Sequence, residues 1–454
     1  MIYMAFRTVL RNLFRFCCFI ATLLRPGHYR ISHVQEGDSD VRFGPRDICW
    51  WLYKYYYRQV ELPEPGQGIA EYFAAQKPDF SLPAGFIPGE AARVAAGGDI
   101  LVSCHIRGDN TAHLWDDVED YFFNADITCA NLESPIAPSQ PFTALPKNLL
   151  IPLRLNNSPA VFDACWRNGR GINFFSTANN HALDRDESGL LETLDFLDSR
   201  GAPHTGTARS KAEQEDIPVL ERNGIRIAFI SWTFSLNGKK IPPGKEYLVN
   251  HLRLNMPGCD IWPIKDQIRV AKEKKNADIV IACLHWGLEF ESYPIQHFID
   301  LGHELLEAGI DVIIGNHAHG LQPVEQYPFT DPYSGLEKQG LICYALGDLL
   351  SWHPAKNTRL GCLPKICLQK GSLNGRTVTL ISGLELKPIY LYSAIRLEHC
   401  SDFRILDLEH LARRIVAEDM PDLPLGKTQK REVLRLRALS KKILHGARQE
   451  ASAY

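Results

Sequence analysis

The sequence predicts an α/β (α+β) layered fold, and three observations carry that prediction. Between about residues 92 and 346, apolar runs of strand length alternate with amphipathic segments of helix length, the pattern of a layered sheet-and-helix core. Gly201 and Gly309 stand where the expected helices Asp186–Arg200 and Ile295–Ala308 need a C-terminal cap. Hydrophobic residues make up 45% of the 454 and charged residues 23%, which excludes the disordered, collagen-like and disulfide-miniprotein classes.

Residues 1–90 read as an N-terminal extension. Its first thirty residues carry Arg7, Arg11, Arg15, Arg25 and Arg30 and no acid. The apolar stretch Phe16 to Leu24 is far short of the ~20 residues of a spanning helix, and no small-x-small cleavage site follows it. The spacing between Ile2 and Leu24 fits an amphipathic helix, either lying on an anionic membrane surface or docked on the body. Asp47 to Tyr57, crowded with Trp and Tyr, predicts a short aromatic helix, and Pro63, Pro65, Gly66 and Gly68 a linker after it.

The core follows. Expected strands are Arg93–Cys104, Ile127–Asn131, Ile172–Thr177, Ile225–Trp232, Ile279–His285, Val312–Gly315 and Leu341–Leu346, with a third helix over Ile264–Ala277. Gly361–Leu368, Thr377–Gly383 and Leu386–Leu391 have no helices between them and are expected to form a sheet packed against the first. The domain so defined spans residues 91–395. Residues 396–454 read as a helical extension with helices over Glu409–Glu418 and Lys427–Arg448. The last carries eight Lys or Arg against a single Glu and reads as a solvated terminal helix, with a membrane or partner role as the alternative.

Fifty Lys and Arg against fifty-three Asp and Glu leave a net charge of −3, so nucleic acid is not an expected partner. None of the twelve Cys forms a C-x-x-C pair, and Cys104, Cys129, Cys283 and Cys343 sit in apolar runs. A reducing compartment without structural disulfides is expected.

Five segments place metal-competent side chains where an apolar strand runs out: Gly98-Asp99, Asn131-Leu132-Glu133, Asn179-Asn180-His181, His285-Trp286-Gly287 and Gly315-Asn316-His317-Ala318-His319. Loops at the carboxyl ends of strands in α/β folds converge on one crevice. Carboxylates, an amide and imidazoles delivered there are the donor set of a two-metal centre for Mn, Fe or Zn. In isolation each has a plain explanation: Asp99 as a turn residue, the Asn pair as a helix cap, His285 as core filling. The pair His317 and His319 is the strongest signal, because alternate residues of an extended segment face one side.

These segments, with His285-Trp286-Gly287-Leu288-Glu289 and Tyr344-Ala345-Leu346-Gly347-Asp348, resemble the CapA family of poly-γ-glutamate capsule synthesis proteins, whose fold is similar to the calcineurin-like metallophosphoesterases. The resemblance runs from about Ala92 to about Leu368. It implies a four-layer α/β/β/α sandwich with a dinuclear site at one edge. It further implies Asp99 on the first ion, Glu133 bridging or on the second, Asn180 and His285 on the second, and His317 and His319 closing the site with one ion each. His181 takes the place of the histidine that protonates a leaving group. Asp184, Glu289 and Asp348 lie close behind these residues, positioned to orient imidazoles.

Three departures stand out. Asn316 occupies a position where family members usually carry His, Asp348 one where they usually carry Asn, and Leu101 one where phosphoesterases of the wider superfamily carry a metal-binding His. His105 is a candidate substitute for that last ligand. The implied function is hydrolysis, by a metal-activated water, of a phosphoester or an anionic polymer such as poly-γ-glutamate, with Arg107, Arg185 and Arg359 as candidate anion contacts. The rival is a non-catalytic, membrane-associated accessory or polymer-binding protein of capsule assembly. The expected location is the cytoplasm or the cytoplasmic membrane face, peripheral or anchored.

Overall fold

Two β-sheets organise the chain into a mixed α/β fold in a computed structural model that describes Phe16 and residues 45–56, 59–144, 154–396 and 399–444. The expected N-terminal amphipathic helix Ile2–Leu24 lies outside these residues, Phe16 apart. In the first sheet the order is His399–Asp407, Arg376–Arg396, Leu360–Leu373, Ile87–Ile100, Ile127–Asn131, Phe174–Ser176 and His204–Thr205. The short strand Asp348–Leu350 also pairs, in parallel, with the end of Ile87–Ile100. In the second sheet the order is Val324–Thr330, Glu337–Cys343, Val312–Asn316, Ile279–His285, Ile225–Thr233 and Val219–Arg222. Both sheets have parallel centres extended by antiparallel strands.

Side-chain alternation decides what each face meets. Val94, Cys129 and Phe174 of the first sheet share one buried cluster with Ile227, Phe229 and Ile281 of the second. Phe174 stacks on Phe229 with ring centroids 4.0 Å apart. Ala95 and Phe175 face the other way, into a cluster with Phe122, Phe162 and Leu197. Ala228 and Ile230 likewise meet Ile264, Ile268 and Phe298, from the helices Trp262–Arg269 and Gln296–Glu307. Each Val, Leu, Ile or Phe among these, fully buried, contributes about 1.5–3 kcal/mol.

Several expected elements differ. The first strand begins at Ile87 and stops at Ile100, because its pairing with Leu360–Leu373 extends it backwards. Thr377–Gly383 and Leu386–Leu391 are parts of one strand, Arg376–Arg396, and the group joins the edge of the first sheet rather than forming a sheet against it. The helix expected over Ile264–Ala277 runs over Trp262–Arg269 and loosens into a π-turn at Val270–Lys274. The basic helix, Lys427–Ile443, is docked rather than merely solvated: Val433, Leu436, Leu439 and Ile443 enter the cluster shared by the sheets. Cys104 is exposed, unlike Cys129, Cys283 and Cys343, because the strand has ended before it; the described cysteines form no disulfide. No helix among the described residues is long and apolar enough to cross a membrane.

Candidate metal centre

Strand register brings the five segments to one edge. In the first sheet Asp348, Asp99, Asn131 and Ser176 are successive register partners, and in the second Thr233, His285 and Asn316 are. Gly98 allows this approach: a Cβ there would lie 1.8 Å from the Gly347 carbonyl oxygen. The register shifts between Ala96 and Asp99 and again between Asp99 and Ile100, an irregularity of the kind that re-aims side chains beside functional sites.

All seven residues expected to bind metal or transfer protons converge here, and each is at most 4% exposed. Asn131 Nδ2 donates to Asp99 Oδ1 at 2.7 Å, and the His317 backbone N–H donates to Asp99 Oδ2 at 3.0 Å. Glu133 Oε1 lies 3.5 Å from His285 Nε2 and 3.9 Å from His319 Nε2. Asn180 Oδ1 is 3.0 Å from His285 Nε2. The potential ligand atoms fall into three groups, within 4.8 Å of one another in each: Glu133, His285 and His317; Asp99, Glu133 and His319; His319, Asp348 and His353. Glu133 links the first two groups and His319 the last two.

His317 and His319 reach the centre by a route other than strand alternation. The strand ends at Asn316, and the two histidines take positive φ angles of 92° and 51°. A turn therefore brings their rings together, with centroids 6.2 Å apart. Such backbone costs on the order of 1–3 kcal/mol per residue and collects at functional sites.

The polar accounting is unusual for a buried region. Both carboxylate oxygens of Glu133, both ring nitrogens of His317 and of His353, and Asp348 Oδ2 have no hydrogen-bond partner among the described residues. Unpaired buried polar atoms cost about 1–3 kcal/mol each, and an N/O donor set of this kind is what a Mn, Fe or Zn ion satisfies. The residues therefore fit divalent metal.

Protonation follows from the same burial. Burial, then the Asp99 charge, pushes the Glu133 carboxyl well above the usual range. Burial raises Asp99 and pushes Asp348 up to about 6. His285, His317 and His353 are driven well below the ordinary imidazole value, first by burial and then by neighbouring imidazoles, which keeps them neutral, as metal ligands must be. His319 goes the other way: burial would lower it, but Glu133, Asp348 and Asp99 together raise it well above the ordinary value.

The residues expected behind the ligands are in contact with them. Asp184 Oδ2 lies 2.9 Å from His181 Nδ1 and accepts from the Leu155 N–H at 2.8 Å. Asp348 Oδ1 is 2.8 Å from His319 Nδ1, and Glu289 Oε1 is 3.8 Å from His319 Nε2. His105 stays outside the three ligand groups, its ring edge-on to Trp352 at 4.4 Å. The three arginines are engaged elsewhere: Arg107 with Asp109, Arg185 with the Pro141 carbonyl and Thr143, Arg359 with Glu432.

Two contributors escaped the sequence reading. His353 follows the strand Asp348–Leu350 in an irregular loop, so no strand end marks it. The aromatic helix Pro45–Tyr56 lies over the centre: Trp51 donates to Glu289, Lys54 Nζ lies 3.2 Å from Glu291 Oε1, and Tyr55 meets His353 edge-on at 5.8 Å. Its clustered aromatics were visible; their target, more than two hundred residues away, was not.

Comparison with known proteins bears on this edge. The chain is 26% identical over 274 residues to the capsule biosynthesis protein CapA of Bacillus anthracis, covering 58% of this chain and 61% of that one. It is 27% identical over 277 residues to the PGA biosynthesis protein CapA of Bacillus subtilis (strain 168), covering 60% and 65%. A probable polyglutamine synthesis accessory protein of Mycobacterium tuberculosis is 26% identical over 213 residues, covering 44% and 52%. The chain thus spans less than two thirds of the length of each of these relatives. Residues 93–352, more than half the chain and including every residue of the centre except those of the aromatic helix and His353, match the family described as bacterial capsule synthesis protein PGA_cap, and the chain belongs to that family.

Proposed function

We propose that the chain is a metal-dependent hydrolase of the metallophosphoesterase type that uses two divalent ions (Mn, Fe or Zn). Its substrate would be a phosphoester or an anionic polymer such as poly-γ-glutamate, in capsule or exopolymer metabolism. The observation that carries this reading is the chain of ligand groups linked through Glu133, with the carboxylate oxygens of Glu133 and the ring nitrogens of His317 lacking a hydrogen-bond partner among the described residues. In this reading residues 91–395 form a four-layer α/β/β/α domain, with residues 1–90 and 396–454 as extensions. The core shared by the two sheets, and the helices against the second sheet's outer face, support it.

Asp99 and His319 would hold the first ion, Asn180, His285 and His317 the second, and Glu133 both. Bound there, the ions supply Lewis acidity, easing deprotonation of a water and polarising a phosphoryl or carbonyl oxygen. His181 is the proton donor: Asp184 occupies Nδ1, which leaves Nε2 to protonate the departing group. Asn131 holds the Asp99 carboxylate in place, and Glu289, anchored by Trp51, faces the His319 ring.

A second reading, a non-catalytic accessory or polymer-binding protein, is favoured by the helix Pro45–Tyr56, which buries Lys54 and Tyr55 over the centre, and by the accessory role printed in the mycobacterial relative's name. Contact with the cytoplasmic membrane face through the basic N-terminal segment suits either reading.

Elemental analysis coupled to a hydrolysis panel of phosphodiesters and poly-γ-glutamate separates them. The hydrolase reading expects bound metal and a rate that falls about 10²–10⁴-fold in His181→Ala at unchanged metal content. Stoichiometric metal without hydrolysis leaves the accessory reading. Unchanged metal content in Asp99→Asn and His319→Ala sinks the ligand assignment.

A further inference from the structure

The two ion sites are unequally furnished. Around Glu133, the second has His285, His317 and the Asn180 amide; the first has only Asp99 and His319. Beside that poorer site lie two groups the proposed hydrolytic scheme leaves unused. Asp348 is the register partner of Asp99 on the adjoining parallel strand, so two buried carboxylates stand side by side. His353 follows, and among the described residues neither of its ring nitrogens has a hydrogen-bond partner.

Three separations define the space between them. His319 Nδ1 is 3.8 Å from Asp99 Oδ2 and 2.8 Å from Asp348 Oδ1, and Asp348 Oδ2 is 3.4 Å from His353 Nε2. Ligand atoms each about 2.1 Å from one cation sit roughly 3–4.2 Å apart; the 3.8 Å and 3.4 Å separations are of that size, and the 2.8 Å one is a hydrogen bond that a bound cation would open. Paired buried carboxylates are stabilised by positive charge, of which His319 supplies at most one unit. We propose that Asp348 and His353 are ligands of the first ion, so that Asp99, Asp348, His319 and His353 form its coordination shell with Glu133 shared. Asp348 thereby acts on the ion itself and does more than orient His319. This rests on the reading that the centre binds metal.

The test uses the full chain, stripped of metal and titrated with Co²⁺. In the cobalt-loaded wild type, paramagnetically shifted imidazole N–H protons count the histidine ligands. The expected set comprises His285, His317, His319 and His353, with the last signal missing in His353→Gln. His353→Gln is also expected to lose one ion's affinity by more than the roughly 10–100-fold that removal of an outer-shell partner produces, while the other ion stays. Its metal-free melting temperature is expected to be no lower than the wild type's, since an unpartnered buried imidazole is removed. Two ions bound to His353→Gln at wild-type affinity, or a wild-type spectrum without a His353 signal, overturns this inference alone. A wild type that binds no Co²⁺ overturns the metal reading and this inference with it.

Discussion

The strand Val312–Asn316 has a charged cluster at each end, and the two differ in kind. At its amino end Asp311 is met by Lys272 at 2.9 Å, Lys338 at 2.9 Å and the Val280 N–H at 2.9 Å, and Lys338 also reaches Asp331 at 3.1 Å. Carboxylates and ammoniums balance, and the cluster is complete within the protein. At the carboxyl end Asp99, Glu133 and Asp348 face imidazoles that are mostly neutral, and several polar atoms have no partner. Both clusters are buried, so burial alone does not make a site. What marks the second is polar capacity left unused among the described residues: the first contributes to the fold as it stands, and the second has the donors to take a metal ion.

That contrast can be broken by substitution. The largest effect is expected at the amino end: Asp311→Ala leaves two buried ammoniums without their shared partner and should cost about 3–5 kcal/mol, read from urea unfolding of the metal-free chain, with metal content per folded chain unchanged. Equal stability of the variant would mean that the cluster is not holding the fold.

At the other end the sign depends on metal. Glu133→Gln should leave metal-free stability equal or higher. It should abolish the stabilisation that Mn²⁺ confers on the wild type, about 2.7 kcal/mol at 100 times the dissociation constant. Paired thermal melts with and without Mn²⁺ measure this, and a variant still stabilised like the wild type would dissolve the contrast.

The pH response sharpens it further. Burial would raise the Asp311 carboxyl, but Lys272 and Lys338 outweigh burial and hold it below the usual carboxylate range. A depressed folded value means that its contribution is complete above the unfolded pKa of about 3.9 and drains away as pH falls through the lower folded one, at about 1.4 kcal/mol per unit of depression. Acid unfolding should therefore be shallower in Asp311→Asn than in the wild type; parallel curves would contradict the assignment.

The smallest effect concerns the helix over the centre. Trp51→Phe removes the indole N–H that Glu289 accepts and should cost about 1 kcal/mol, with bound metal retained, as urea midpoints and elemental analysis would report. Loss of metal would make Trp51 part of the centre rather than its cover.

Much of this was legible from residue order. Apolar runs located Ile127–Asn131 and Ile279–His285 at their observed bounds, and the polar residues just past strand ends named seven of the side chains that meet at the edge. The pairing of His317 with His319 was anticipated for the wrong local reason, since alternation requires extended backbone and these residues turn through positive φ. His353 and the place of the aromatic helix over the centre were not anticipated, because neither follows from the end of a predicted strand; the helix itself was expected over Asp47 to Tyr57.

Sequence by itself determined which segments are strands, where each runs out and which donor atoms wait there, because hydrophobic period and residue chemistry are local properties. Only the tertiary structure decided that Asp348 stands beside Asp99, that Leu360–Asp407 lengthens the first sheet, and that Pro45–Tyr56 lies over the centre. Those are matters of register and long-range contact. Strand periodicity specifies which face a side chain takes but not which strand lies alongside, and that choice is made by the packing of the whole core.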